Sequence, residues 1–148
     1  MARNYQQGIY EVKNKDKYIG TKNPRYLSSY EKKFFEWCDR SKAVTGWGAE
    51  VVVVDYFNPV KNRKARYIVD IYIKYVDKEG KTKEELVEIK PSSQTSPPRK
   101  GRGKKAETTY ITESLEWMTN TAKWAAAEKY AKERGWAFRI ITEHHLFR

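Results

Sequence analysis

Residues 65–90 read ARYIVDIYIKYVDKEGKTKEELVEIK. Alternating β-branched and aromatic residues from Ala65 to Val76 predict a single strand. Val69, Ile71, Ile73 and Tyr75 take one face, and Ile68, Asp70, Tyr72 and Lys74 the other. DKEGK, residues 77–81, is a hairpin turn, so KEELVEIK, residues 83–90, returns antiparallel beside it. Pro91 ends the second strand.

Two features of this hairpin point beyond packing. Glu88 and Lys90 share a strand face, because side chains repeat every second residue. Asp70 sits among apolar neighbours, where a carboxylate is costly unless it is paired, hydrogen-bonded or bound to a metal. The turn brings Asp70 toward Glu88. Two carboxylates at close range repel, and one takes up a proton unless a cation lies between them. Magnesium suits such a pair, since it binds through one or two carboxylates and keeps several waters. An ammonium at Lys90 would then orient an attacking water or meet the negative charge that grows on a phosphate. The same residues also fit a plainer arrangement, an Asp70–Lys90 or Glu88–Lys74 ion pair on a wet face.

Upstream, SSYEKKFFEWCDRS predicts a helix. Ser28 and Glu31 have capping-box spacing, and Glu31, Phe34, Phe35 and Cys38 fall on one face. Glu31 therefore has two readings, as a cap and as a site acid. GWG, residues 46–48, reads as a break, followed by a strand over AEVVVVDYF and a turn at NPVKNRK. Residues 1–26 read as an extended arm with little structure of its own, preceding one domain over 27–148.

Downstream, residues 92–108 are rich in Ser, Pro and Gly, and carry Arg99, Lys100, Arg102, Lys104 and Lys105. No core can be built from them, which predicts a mobile basic loop. A helix is expected over roughly residues 110–134. Its apolar stripe would run through Ile111, Leu115, Met118, Ala122, Ala125 and Ala126, with Gly135 at C′. WAFRIITE is a last strand and HHLFR a tail. The order of elements gives an α/β fold with a mixed sheet.

The chain has 148 residues, and 30 Lys and Arg against 19 Asp and Glu give a net charge of +11. A polyanionic partner follows, with nucleic acid ahead of an acidic membrane surface. The basic loop is placed to clamp DNA phosphates beside Lys90, and Lys123 on the long helix is a further candidate contact. Nothing suggests base reading. Trp117, Trp124 and Trp136 read as core or interface rather than base-stacking platforms. The single cysteine, Cys38, excludes an internal disulfide and a multi-cysteine zinc site. His144 and His145 read as ordinary terminal residues, and GWG and GRG lack the context of a nucleotide-binding loop. There is no secretion signal and no apolar run of bilayer length, so the expected setting is a reducing cytoplasm or a particle assembled there.

Asp70, Glu88-Ile89-Lys90 and the upstream Glu31 resemble the PD-(D/E)xK nuclease superfamily, with Val69 where the name has proline. The wider series is YLSSYEKKFFEWCD, GWG, RYIVDIYI, LVEIKP followed by Gln94, NTAKWAAAEKYAKERGW and FRIITE. From about Tyr5 to Leu146 it is similar to the head completion nucleases of T4-like tailed phages. It is more distantly similar to the endonuclease subunit of heteromeric transposases, which carries glutamine in the place of Glu88. The resemblance implies a restriction-endonuclease-like core and a magnesium-dependent nuclease of double-stranded DNA, with manganese as a substitute ion. Endonuclease and exonuclease action are both open. By position, Asp70 and Glu88 would bind metal, Lys90 would be the catalytic lysine and Glu31 an additional acid, while Gln94 fits the pattern less securely. The implied setting is virion assembly in the host cytoplasm, after DNA packaging and before head–tail joining. Head, neck or portal proteins would be partners, and retention in the virion neck is open. Two other readings stand beside it: a non-catalytic DNA-binding neck or portal protein on a nuclease fold, and a repair or junction-resolving nuclease.

Overall fold

A computed structural model describes residues 7–146. In chain order the elements are β1 (Gly8–Ile9), β2 (Arg25–Tyr26), α1 (Ser29–Arg40), β3 (Val44–Ala49), β4 (Val53–Asn58), β5 (Arg63–Ile68), β6 (Ile71–Val76) and β7 (Thr82–Ile89). A 3-10 turn (Ser92–Gln94), α2 (Lys104–Glu133), β8 (Ala137–Ile141) and α3 (Glu143–Leu146) complete the chain. The central sheet has the order β3-β6-β7-β8. Its first two pairings are antiparallel and β8 runs parallel to β7, which makes the sheet mixed. Two small hairpins, β1-β2 and β4-β5, stand apart from it.

The stretch from Ala65 to Val76 is two strands rather than one. It bends at Asp70, and β5 and β6 belong to different sheets. Val69 donates its N–H to the Val52 carbonyl at 3.0 Å, which keeps it with the β4-β5 hairpin. From Ile71 onward the chain pairs with β7. The bend also resets the alternation of faces. Tyr67 and Val69 are buried in the same cluster as Tyr72 and Leu86, whereas Ile71 and Ile73 are buried in another. The expected grouping of Val69 with Ile71 and Ile73 is thereby corrected. A strict two-residue period holds only while the strand is unbroken.

The two clusters are the two faces of the central sheet. On the α1 side, Phe34, Phe35 and Cys38 of the helix pack with Trp47, Ile73, Val87 and Ile141. On the α2 side, Trp124, Ala127 and Ala131 of the helix pack with Val54, Tyr67 and Leu86. Full burial of such side chains stabilises by about 1.5–3 kcal/mol for each larger one, so these faces hold the fold together. Trp117 and Trp136 pack at the margin of the α2-side cluster, as core residues rather than exposed platforms.

Three further expectations change. GWG is not a break: it lies inside β3, with Trp47 fully buried opposite Ile73. Gly48 is needed there, because a Cβ would sit 2.9 Å from the Val51 side chain. Within residues 7–26 the chain is packed rather than loose. Ile19 donates to the Trp47 carbonyl and Trp47 to the Lys17 carbonyl, so the segment covers the open edge of β3. Asp39, fully buried, accepts from the Tyr10 hydroxyl (2.6 Å) and from the N–H groups of Lys13 (2.8 Å) and Asn14 (3.0 Å). Residues 1–6 lie outside the described residues.

The third change concerns α2, which starts at Lys104 and so takes in the last part of the expected loop. Its buried residues are Trp124, Ala127 and Ala131, while Ile111, Leu115, Met118 and Ala125 are exposed. The expected stripe holds only at Ala122 and Ala126, which pack at the core margin. The reason is geometric: residues 104–116 extend past the part of the helix that meets the core, and Met118 and Ala125 lie on its outer face. At the far end Gly135 adopts φ 74°, and Trp136 and Gly135 donate to the Ala131 and Lys132 carbonyls. This closes the helix as a Schellman motif, as the glycine predicts.

Candidate active site

The hairpin turn at 77–81 sets the register. Ile71 faces Val87, and the next position along sets Asp70 beside Glu88. Pairing stops there because Asp70 takes over: its Oδ2 accepts the Ile89 N–H at 2.9 Å. Glu88 is 6% exposed. Its Oε1 accepts the Tyr67 hydroxyl at 2.6 Å, and its Oε2 lies 3.8 Å from Lys90 Nζ. The ion pair is therefore Lys90–Glu88, and neither of the two surface pairs weighed from the sequence is formed among the described residues.

Electrostatics follow from this crowding. Burial holds the Asp70 carboxyl well above the usual carboxylate range, and the charges of Glu88 and Glu31 push the same way against the Ile89 N–H. Glu31 is also raised, first by burial, then by the charges of Glu50 and Glu88; the Leu27 N–H and Lys90 oppose. Glu31 caps α1 and also lies within electrostatic reach of the site. Its N–H donates to the Ser28 Oγ and its carboxylate accepts the Leu27 N–H at 2.8 Å, capping α1. Through the same carboxylate it feels Glu88 and Lys90. The Tyr67 hydroxyl is pushed up by burial and by Glu88, so it stays protonated and can only donate to that carboxylate.

Lys90 is partly open, with 26% of its side chain exposed. It borders a groove of about 460 Å³ that is also lined by Gln94, Leu115, Thr119, Asn120 and Lys123. Lys123 Nζ lies 5.7 Å from the centre of the Tyr67 ring. Gln94 and Lys123 are thus brought to Lys90 by separate elements. Arg99, Lys100 and Arg102 are exposed on the connection before α2, and Lys104 and Lys105 on its first turn. None of the five lines the groove beside Lys90, and Lys100 Nζ pairs with Glu107 at 3.7 Å.

Among the described residues no three acidic, histidine or cysteine side chains converge to hold a metal. The donor set is a pair of carboxylates, Asp70 and Glu88. That suits a hard ion that completes its shell with water, such as magnesium, and does not suit zinc. His145 is no ligand candidate: its Nδ1 accepts the Thr142 N–H at 3.0 Å within the C-terminal turn.

Two neighbours of the site were not legible as such. Tyr67 was hidden by the bend at Asp70, which turns it to the Glu88 side. Glu50 has left-handed backbone (φ 57°) and donates its N–H to the Asp70 carbonyl at 3.0 Å. A non-glycine residue held there is a local cue that only coordinates reveal.

Residues 41–143 match the family profile of the TnsA-like endonuclease N-terminal domain. The chain belongs to the TnsA-like endonuclease family. It is also 40% identical over 142 residues to the head completion nuclease of Enterobacteria phage T4, covering 94% of this chain and 92% of that protein. The TnsA-like match takes in Tyr67, Asp70, Glu88, Lys90 and all of α2 but begins after Glu31, whereas the T4 relative covers nearly the whole length. The fold is restriction-endonuclease-like, a mixed sheet between helices. No helix among the described residues is long and apolar enough to cross a membrane.

Proposed function

We propose that this protein is a magnesium-dependent nuclease of double-stranded DNA that acts in phage head completion, after packaging and before the head joins the tail. The observation that carries the reading is the meeting of Asp70 and Glu88 across the β6–β7 register, with Lys90 on the rim of an open groove. The identity with the T4 head completion nuclease, spread over nearly the full length of both chains, supports the biological setting.

Asp70 and Glu88 are the residues that would hold the ion, with manganese as a substitute. When bound, the ion supplies Lewis acidity to a phosphoryl oxygen and a more acidic water. Lys90 brings an ammonium to the growing negative charge of the phosphate, in a partly buried setting where such charge stabilisation exceeds its value in water. Glu31 adds a second-rank acid at the same centre. Gln94 and Lys123 line the wall along which a DNA backbone would run. Arg99, Lys100, Arg102, Lys104 and Lys105 would hold phosphates farther out, where the exposed N–H groups of the first turn of α2 also favour anions. Contacts of this type carry no sequence information, so cutting is directed by DNA structure or ends. Head, neck or portal proteins are the partners this setting implies, in the host cytoplasm during assembly.

The test is incubation of closed-circular and linear plasmid with wild type, Asp70→Ala and Lys90→Ala, in magnesium, manganese and chelator. Loss of closed circles by wild type in either metal, and by neither variant, is the expected result. Trimming of linear ends alone would mark an exonuclease. Equal products from all three proteins, or none from wild type, would overturn the nuclease reading in favour of a non-catalytic DNA-binding assembly protein.

A further inference from the structure

Tyr67 belongs to neither the acids nor the amines of the site. It comes from β5, in the β4-β5 hairpin, outside the sheet that carries Glu88. The residue is 4% exposed, inside the α2-side cluster. Two contacts leave this one side chain in different directions of the structure. The hydroxyl donates to Glu88 Oε1 at 2.6 Å, and the ring meets the Lys123 ammonium at 5.7 Å from its centre.

Each contact removes a specific freedom. The terminal torsion of a glutamate is broad, so an unrestrained carboxylate presents its oxygens over a wide arc. A hydrogen bond to Oε1 fixes the carboxylate plane and leaves Oε2 toward Lys90, 3.8 Å away. Lysine likewise has a long flexible stem, and attraction to an aromatic face narrows where its charge sits. Phenylalanine would fill the same volume without burying a hydroxyl, so packing alone gives no reason for the oxygen. The hydroxyl points to the one buried carboxylate of the lysine-bearing strand face, and the ring to a lysine of the groove wall.

We propose that Tyr67 is a positioning residue with two separable tasks: its hydroxyl orients Glu88 for a divalent ion, and its ring holds Lys123 in place for the DNA backbone. The inference rests on the nuclease reading above and deepens it. It assigns ion affinity and DNA affinity to different parts of one side chain.

The two parts can be removed in turn. Tyr67→Phe deletes the hydroxyl and keeps the ring, Tyr67→Leu deletes both, and Lys123→Gln deletes the cation. Manganese binding to the metal-free full-length chain is measured by calorimetry, and magnesium dependence and KM for linear duplex are measured by cleavage. The manganese dissociation constant of Tyr67→Phe is expected to rise about 10- to 100-fold, the range seen when a partner of a ligating group is removed. Its cleavage should recover at raised magnesium with an unchanged KM for DNA. Tyr67→Leu should show the same metal defect and also a KM raised about 2- to 5-fold, because the ring–ammonium attraction is gone. Lys123→Gln should raise KM with manganese affinity intact. If Tyr67→Leu does not fold, the first and third variants decide the two tasks separately. A folded Tyr67→Phe with wild-type manganese affinity and magnesium dependence overturns the inference while wild-type cleavage preserves the nuclease reading. Wild type that neither binds manganese nor cuts DNA overturns both.

Discussion

Replacing Asp39 by alanine should destabilise the protein more than any change at the candidate active site. The carboxylate is fully buried at the end of α1 and receives the Tyr10 hydroxyl and the N–H groups of Lys13 and Asn14. Alanine leaves all three donors without that acceptor. Each buried donor so orphaned costs about 1–3 kcal/mol. The low end applies to the part-buried amides, so the sum is about 3–5 kcal/mol. With a urea slope of about 1.5 kcal/mol per molar, the midpoint should fall by about 2–3 M. Wild type and variant would be compared by urea unfolding at pH 7, followed by tryptophan fluorescence. The pH dependence supplies a second check. Burial pushes the Asp39 carboxyl up, but the bonds from Tyr10, Lys13 and Asn14 outweigh it and hold the group below its ordinary value. A carboxylate depressed in the folded state stabilises above its unfolded pKa of about 3.9, and that stability is lost as pH falls through the folded value. The gap between wild type and variant should therefore be full at pH 6 and shrink below about pH 4. A midpoint shift under about 0.3 M at pH 7 would refute the view that the N-terminal segment is fastened through Asp39.

Other changes test separate parts of the structure. Asp70→Asn removes an acid crowded by Glu88 and Glu31 and keeps an oxygen to accept the Ile89 N–H, so thermal unfolding in chelator at pH 7 should show a midpoint equal to or above wild type; a fall of several degrees would mean that the carboxyl group holds the fold. Neutralising Arg99, Lys100, Arg102, Lys104 and Lys105 together should weaken DNA binding. It should also flatten the log–log salt dependence by about 0.9 for each phosphate that the chain no longer neutralises. An unchanged slope in a filter-binding titration would move the DNA surface elsewhere. Gly135→Ala places a Cβ at φ 74° and should lower stability by about 1 kcal/mol, read as a drop of a few degrees in Tm; no drop would mean the turn relaxes freely.

The centre of the fold was legible because it depends on local rules. A turn at residues 77–81 and a two-residue period suffice to bring Asp70 to Glu88 and to aim Lys90 beside it. The bend at Asp70 was not legible, because apolar alternation runs on through it in the sequence while the backbone changes sheets. Trp47 was missed as a strand centre because its glycine neighbours disfavour strands on average, and the close approach of Val51 that requires Gly48 is a tertiary fact. The packing of residues 7–26 depends on backbone N–H groups reaching Asp39, and any residue type can supply those. In α2 the alanines that face the core are small, whereas Ile111, Leu115 and Met118 look more apolar yet have no core beneath them.

That last arrangement has a mechanical corollary. The first part of α2, residues 104–116, places no residue in either core cluster and spans about 20 Å at 1.5 Å per residue. Helices without tertiary support are marginal in water, and two lysines at the positive end of the dipole weaken this one further. Such a rod can fray turn by turn, down to the point where Trp117 packs against Trp124, while the sheet stays intact. A polyanion that neutralised Lys104 and Lys105 would stiffen the tip. With such a partner bound, the length of rigid helix reaching beyond the core would be set by the surroundings as much as by the chain itself.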